Sequence, residues 1–186
     1  MFNLTFLFVN LIIAAPELVI NWNTAENDRF EFVDEGHDSS SDKCLDNGLE
    51  AQYRFEAKVC INKNAWFEDC SDELIETRFL SQDLITKDYR LVSDRHRDGS
   101  EPTVENFSKL SDAKKSLRSV ESVELSTFLS SLSKGYDRDK LYLRARLLSK
   151  CQGELSETWT RLSYYLSFGL IRIEGFDSGW QSYDLK

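Results

Sequence analysis

The sequence predicts a mainly β, α+β fold: a single antiparallel β-rich domain, a sheet or a sandwich, with two or three short peripheral helices. Apolar and polar side chains alternate without a break over residues 49–62, which is the period-two pattern of a strand with one buried and one solvated face. The alternation returns over residues 141–147. Because parallel strands are usually buried on both faces, strands with one solvent-exposed face favour an antiparallel sheet.

Shorter apolar or alternating runs predict the remaining strands, at residues 18–23, 30–33, 74–80, 89–93, 120–125, 170–174 and 180–185. Thr103 is expected to cap a helix that starts at Val104, and Ser156 to cap a second helix that ends at Gly169. A short turn of helix is expected before Gly48. The apolar faces of the two capped helices are Phe107, Leu110, Ala113 and Leu117 in the first, and Trp159, Leu162 and Leu166 in the second.

The first fifteen residues carry no charged side chain and are almost wholly apolar, and this run stops at Ala14-Ala15-Pro16. The run is shorter than the roughly 20 apolar residues of a membrane-spanning helix. It has the apolar core and the small-residue end of a secretory signal. We therefore expect residues 1–15 to be a signal peptide and residues 16–186 to form one exported, periplasmic or envelope-associated domain. A retained anchor and a buried first strand are the alternatives.

The chain is acidic, with a net charge of −9 and a pI of about 4.8. Such a surface on average repels phosphate backbones and anionic lipid headgroups, and no long basic cluster offsets the repulsion. No later segment is apolar and long enough to suggest a membrane span. The composition therefore argues against a nucleic-acid partner and against electrostatic docking on a membrane.

Four cysteines, an even number, are candidates for disulfides in an exported chain. Cys60 and Cys70 are expected to pair across a hairpin, which leaves Cys44 to pair with Cys151. The alternation places Cys60 on the wet face of its strand, where the bridge would be exposed. Four unpaired thiols, or a pairing of Cys60 with Cys44 or Cys151, are the alternatives.

Sequence patterns of catalytic and metal sites are scarce. The two histidines, His37 and His96, fall in predicted loops, where such side chains are usually solvated. Residues 38–42 imitate the first ligands of a calcium loop, but Lys43 stands where that loop needs glycine. No C-x-x-C, H-E-x-x-H, Walker A, G-x-S-x-G or dinucleotide-binding pattern occurs. We therefore predict no catalytic residue, no metal ligand and no cofactor.

The candidate binding residues lie on the predicted strand at 141–147 and among the tryptophans. Tyr142, Arg144 and Arg146 share its polar face, where they could form an anion or partner site. The favoured interpretation is that the two arginines pair with acidic side chains of neighbouring strands. Trp66 and Trp180 are expected to anchor the core and its edges, and an aromatic ligand groove is the alternative.

Several stretches spread over nearly the whole mature chain are similar to segments of one family. Residues 44–49 read as a helix end with a glycine that leads into a long strand, and Trp66-Phe67 follows. Residues 79–89 are similar too, and Phe107, Leu110, Ala113 and Leu117 resemble the helix that follows in the family. The later similarities are Tyr142-Leu143-Arg144-Ala145-Arg146 and Asp177-Ser178-Gly179-Trp180. In these stretches the chain resembles the bacterial envelope family catalogued as domain of unknown function 4390.

The chain departs from this family at Gln82, where tyrosine is usual, and around Cys151, where a proline-flanked leucine turn is missing. The resemblance implies an exported, envelope-facing protein of Gram-negative bacteria, and it brings no assigned activity and no catalytic residues. Family genes often lie beside those of a membrane sensor kinase. The resemblance therefore implies an envelope-sensing context, with an envelope protein such as that kinase as the partner.

Two classes of function are compatible with these observations. The first is a non-enzymatic envelope module that binds a partner through a sheet edge or an aromatic surface. The second is a periplasmic small-molecule binder or hydrolase whose site is assembled from distant parts of the chain. A deep apolar pocket with perturbed acidic groups would favour the second class, whereas a shallow surface with an unpaired strand edge would favour the first.

Overall fold

A computed structural model describes residues 18–23, 28–36, 44–64, 67–96, 101–132, 138–152 and 175–185. Several predictions fall outside these described residues: the signal peptide at 1–15, the loop histidine His37, Trp66, the helix from Ser156 to Gly169 and the strand at 170–174.

The described chain forms two antiparallel sheets, which confirms the predicted β-rich fold. The small sheet has the order β1-β2-β8, and the main sheet has the order β10-β9-β3-β5-β6-β7, with β11 on β9 and β4 on β3. The strands are β1 (Leu18–Asn23), β2 (Arg29–Asp34), β3 (Glu50–Asn64), β4 (Phe67–Cys70), β5 (Leu74–Gln82), β6 (Tyr89–Arg95), β7 (Thr103–Phe107), β8 (Ser119–Glu124), β9 (Leu141–Gln152), β10 (Gly175–Asp177) and β11 (Gln181–Asp184). The helices are α1 (Leu110–Leu117) and α2 (Leu125–Leu129), with a 3₁₀ turn at Arg138–Lys140.

Strand β3 lies in the middle of the main sheet and confirms the alternation seen in the sequence. Tyr53 and Phe55 on its inner face are buried, whereas Arg54 between them is exposed. Antiparallel ladders join residues 50–61 of β3 to β9 and residues 51–57 to β5. Because β9 shows the same alternation in register with β3, the two strands present one continuous apolar face to the core.

The prediction of a helix from Val104, capped by Thr103, is wrong. Thr103–Phe107 is strand β7, which pairs with β6, and α1 begins only at Leu110. The apolar spacing from Phe107 onward does fit a helix, but Thr103 and Val104 before it are β-branched residues, which favour strands. Pairing with the exposed edge of β6 therefore decides the conformation, and the helix occupies only the second half of the predicted span.

One hydrophobic cluster joins the inner face of the main sheet to the small sheet and the two helices. Helix α1 buries Ala113 and Leu117, and α2 buries Phe128, whose ring meets Phe30 of β2 edge-on at a centroid distance of 6.3 Å. Helix α2 had no counterpart among the sequence predictions. None of the helices in the described ranges is long and apolar enough to cross a bilayer.

A charged triad is buried on the inner face of the main sheet. The Glu76 carboxylate, 2% exposed, accepts hydrogen bonds at 2.7 Å from the Nε atoms of Arg78 and Arg95. Arg78 also donates to the carbonyl groups of Ser116 and Ser119, at the end of α1 and just after it. Since the last carbonyls of a helix lack partners within it, Arg78 satisfies one of them at Ser116, and so fixes α1 against β5.

Both expected disulfides are present, Cys44–Cys151 and Cys60–Cys70. Cys60 and Cys70 face each other directly across the β3–β4 hairpin, with Cα atoms 4.0 Å apart. The Ser71 amide donates to the Val59 carbonyl, so the cysteines form a non-hydrogen-bonded pair, in which side chains lie closest. Two disulfides are typical of a protein that meets an oxidising compartment.

The expectation that Cys60 is exposed is wrong, because its exposed fraction is 0%. The residue does lie on the outer side of β3, but both neighbouring strands place a side chain beside it, Cys70 on β4 and Tyr142 on β9. The other bridge joins the end of β9 to the helical turn at 44–46. That turn ends at Gly48, with φ +69°, in a Schellman motif whose bonds run from Gly48 to Leu45 and from Leu49 to Cys44.

Candidate functional site

The outer face of the main sheet brings together four of the five candidate binding residues. Tyr142, Arg144 and Arg146 follow one another along the outer side of β9, and Trp180 lies just before β11, which pairs with the same strand. The fifth, Trp66, falls outside the described part of the chain. We call Tyr142, Arg144, Arg146 and Trp180, with Lys58 of β3, the outer cluster.

A tight turn between β10 and β11 positions Trp180. Asp177 accepts a hydrogen bond from the Gly179 amide at 2.8 Å, and Gly179 adopts φ +67°, which residues with a side chain rarely do. Ser178 exchanges two hydrogen bonds of 2.9 Å with the main chain of Leu147. The turn is therefore fixed to β9 and holds the Trp180 ring beside the basic residues of the sheet.

The charges of the outer cluster are paired within the protein. Arg144 meets Glu68 at 2.9 Å, Arg146 binds Asp177 through two hydrogen bonds of 2.8 and 2.5 Å, and Lys58 meets Glu73 at 3.2 Å. These contacts agree with the favoured interpretation of cross-strand pairing. Arg146 and the Gly179 amide also hold the pKa of the Asp177 carboxyl below its usual range.

The Trp180 ring completes the outer cluster by contacting its cations. The Lys58 ammonium group lies 4.5 Å from the ring centroid, and the Arg144 guanidinium group lies 5.7 Å from it. Cation–π contacts of this length are attractive. An anion that approached the cluster would compete with the carboxylates of Glu68, Asp177 and Glu73 and with the Trp180 ring, which already contact its cations. The cluster is therefore better suited to fixing β11 and β4 on the sheet than to capturing a ligand.

A groove of about 570 Å³ opens on the same face next to the outer cluster. Arg54, Glu56, Arg146, Lys150 and Asp177 contribute its charged lining. Arg54 is paired with Glu56 at 2.7 Å, and Arg146 is paired with Asp177. The groove is open to solvent, and its charged residues Arg54, Glu56, Arg146 and Asp177 are paired with one another, so it lacks the enclosure and the free polar groups that usually define a small-molecule site.

Three potential metal ligands, the Cys60 and Cys70 sulfurs and a Glu68 carboxylate oxygen, lie within 4.8 Å of one another. The two sulfurs are bonded to each other, and a metal needs deprotonated thiolates. This group of atoms therefore does not form a metal site while the disulfide is intact.

Tyr142 offers a direct test of the outer cluster in solution. Burial, and then a hydrogen bond to Glu68, raise the pKa of Tyr142 to about 12. We expect Tyr142 to ionise near pH 12 in an alkaline absorbance titration, and we expect Tyr142→Phe to remove that step. Glu68→Gln removes the acceptor charge and is expected to move that step towards the ordinary tyrosine pKa of about 10.

Glu73→Gln is the matched control, because Glu73 pairs with Lys58 and makes no contact with Tyr142 among the described residues. Since the pKa of Tyr142 is raised in the folded state, its contribution to stability is complete below pH 10 and is lost as the pH rises through about 12. Equal shifts in the Glu68 and Glu73 variants would contradict the proposed contact.

A second surface, which the sequence did not suggest, lies at the opposite edge of the main sheet. The turn at 83–88 joins β5 to β6 and exposes Leu84 by 66% and Ile85 by 92%. The neighbouring edge strand β7 exposes Val104 by 49%. We call the turn at 83–88 and strand β7 together the edge patch.

The turn of the edge patch is held by its own hydrogen bonds. The Asp83 carboxylate accepts from the amides of Thr86 and Ile85, which lower its pKa, and the Asp83 carbonyl accepts from the Lys87 amide. Lys87 adopts φ +65°, the left-handed conformation that closes such turns. The two apolar side chains are therefore presented on an ordered turn, and an apolar pair in a turn is the sequence signal that could have revealed this surface.

Comparison of the chain with protein-family models, with curated proteins and with solved structures found no match. The resemblance to the envelope family named above therefore stays a prediction from the sequence.

Proposed function

We propose that this protein is an exported, envelope-associated module that acts by binding another protein and not by catalysing a reaction. The position of the exposed apolar side chains carries this proposal. In the described part of the chain, the large hydrophobic side chains left exposed are Leu84, Ile85 and Val104, and all three belong to the edge patch. Leu84 and Ile85 stand together on one ordered turn, and large apolar side chains exposed together are typical of interaction sites.

The distribution of charge supports the edge patch over the outer cluster as the binding surface. In the outer cluster, the described carboxylates already pair with Arg144, Arg146 and Lys58. At the edge patch, a partner would instead cover apolar side chains that are now in water. Removing apolar area from water is the dominant favourable term in most protein–protein association.

The two disulfides and the apolar run at residues 1–15 support export by a signal peptide to the periplasm or envelope. The family resemblance makes a membrane sensor kinase the first envelope partner to test. A small-molecule binder or hydrolase that used the groove beside the outer cluster is the alternative, but the open form of the groove and the internal pairing of its charges favour the binding module.

Site-specific photocrosslinking in the native envelope tests the proposal. A crosslinking residue at position 104 is expected to capture one defined protein, whereas the same residue at position 184, on exposed β11 at the other edge of the sheet, is expected not to capture it. The double change Leu84→Ser with Ile85→Ser should abolish the capture at 104 without altering the thermal unfolding temperature, because both side chains contribute little to the core. Equal capture from both edges, or none from position 104, would contradict the proposal.

A further inference from the structure

The outer edge of β7 has main-chain groups directed away from the sheet. The Asp83 amide donates to the Asp88 carbonyl, and the His96 amide donates to the Ile75 carbonyl. The main-chain N–H and C=O groups of Asp88, and of every second residue from there to His96, therefore point towards β5. Because this direction alternates along a strand, the main-chain N–H and C=O groups of Leu91 and Ser93 point towards β7. Their partners in β7, Glu105 and Thr103, direct the same groups back towards β6. The N–H and C=O groups of the residues that alternate with them, Val104 and Asn106, therefore face outward, away from the sheet.

The described chain places no strand beyond this edge, which ends the main sheet. Proteins protect strand edges with charged side chains, with proline, with a bulge or with a very short strand. Val104 and Asn106, whose main-chain groups face outward, are uncharged, and the pairing of β7 with β6 is continuous. The one charged residue of β7 is Glu105, so this edge is protected against an added strand of like charge and not against one of opposite charge.

The two sides of β7 differ in chemistry. Val104 lies opposite Val92 on the outer side, and Val92 lies opposite Phe79, so these three side chains form one apolar row across the strands. On the inner side, Glu105 and Glu101 line a hollow of about 300 Å³ beside the buried Glu76 triad. Arg78 and Arg95 both bind Glu76 there, and neither Glu101 nor Glu105 has an ion-pair partner in the described part of the chain.

We propose that the partner adds an extended segment to the outer edge of β7, and that this segment alternates apolar with basic side chains. This inference rests on the proposed function and specifies the chemistry of the partner. Successive side chains of an added strand fall on opposite sides of the sheet. One set would therefore continue the apolar row past Val104, and the other would meet the carboxylates of Glu101 and Glu105.

A second copy of this chain is a poorer occupant of the same edge. Glu105 is the central residue of the five in β7, so a two-fold pairing of two β7 strands about their middle would place Glu105 opposite Glu105. Like charges directly opposite across strands are destabilising. The edge therefore favours a partner of opposite charge.

Labelled synthetic heptapeptides test the inference on the full folded chain. A peptide of alternating valine and lysine should bind about tenfold more tightly, by fluorescence anisotropy, than one of alternating valine and glutamate. A valine–lysine peptide with methylated backbone nitrogens keeps its charge but loses hydrogen-bond donors, and its affinity should fall by about tenfold. Hydrogen exchange of the Val104 and Asn106 amides should slow when the unmethylated peptide binds.

Three variants separate edge pairing from general attraction to an acidic protein. Glu105→Lys should reverse the preference between the lysine and glutamate peptides, whereas Asp184→Lys makes the same charge change on the opposite edge and should leave the preference unchanged. Asn106→Pro removes an outward N–H and should weaken binding without unfolding the strand, because proline is tolerated on an edge.

The outcomes separate this inference from the proposed function. Equal binding of the methylated peptide, or the same effect of Glu105→Lys and Asp184→Lys, would overturn strand addition. Capture of a defined protein at position 104 with no preference for the lysine peptide would overturn strand addition and leave the proposed function standing. A dimer that forms through β7 in sedimentation, or binding to phosphatidylglycerol vesicles without protection of the Val104 amide, would also overturn it.

Discussion

Replacing both Cys44 and Cys151 by alanine is expected to lower the free energy of unfolding by about 5 kcal/mol on the chain-entropy model of disulfide stabilisation. The two residues are 107 positions apart, so the bridge closes a long loop and restricts the denatured chain strongly. Domains typically have only about 5–15 kcal/mol of stability in total, so this variant should lie close to unfolding at room temperature. Urea unfolding monitored by tryptophan fluorescence measures the loss.

The second bridge is the matched control for this experiment. Cys60 and Cys70 are only 10 positions apart, and their replacement by alanine is expected to cost roughly 2–3 kcal/mol on the same model. Both double variants remove two sulfurs and leave the other bridge intact. An equal loss in the two variants, or a larger loss from the short loop, would show that native contacts and not loop closure dominate the effect.

Replacing Phe55 by alanine is expected to lower the free energy of unfolding by about 3–5 kcal/mol, the usual cost of removing a large aromatic side chain from a core. Phe55 is 4% exposed on the inner face of β3 and packs beside Tyr53 at a ring-centroid distance of 6.3 Å. Thermal and urea unfolding of the purified variant, with both disulfides intact, would measure the change.

Arg54 is the control, because it is next to Phe55 in the chain and lies on the other side of the same strand. Its replacement by alanine removes a half-exposed side chain and one of the two ion pairs of Glu56, which keeps Arg146 at 3.8 Å, and is expected to change stability by less than about 1 kcal/mol. Similar losses at the two positions would mean that the two faces of β3 are not buried differently.

The prediction for β3 could be made from the sequence because its information is local. A period of two over residues 49–62 identifies both the strand and its buried face, and the structure confirms both. The hairpin between Cys60 and Cys70 was equally accessible, since a short separation leaves few ways for the chain to return. The helical turn before Gly48 followed from a glycine that tolerates positive φ.

The surfaces of the protein were harder to predict, because exposure depends on which strands become neighbours. The candidate residues Tyr142, Arg144, Arg146 and Trp180 do meet on one face, but only the structure shows that described carboxylates already pair with the arginines. The edge patch was missed altogether. Its strand β7 was predicted as the start of a helix, and nothing local to Thr103–Phe107 shows that the edge of β6 is available.

The antiparallel β-rich class, the long central strand and the Cys60–Cys70 hairpin were readable in the sequence, because alternation and short spacings are properties of neighbouring residues. The Cys44–Cys151 pair followed only by elimination, since its residues are 107 positions apart. The burial of Glu76 and of Cys60 follows instead from how the strands are arranged in the folded chain. The charge of Glu76 is stabilised by Arg78 on its own strand and by Arg95 from the next strand. Burial of a polar residue depends on partners that distant segments supply, and the spacing of residues along the chain does not contain that information.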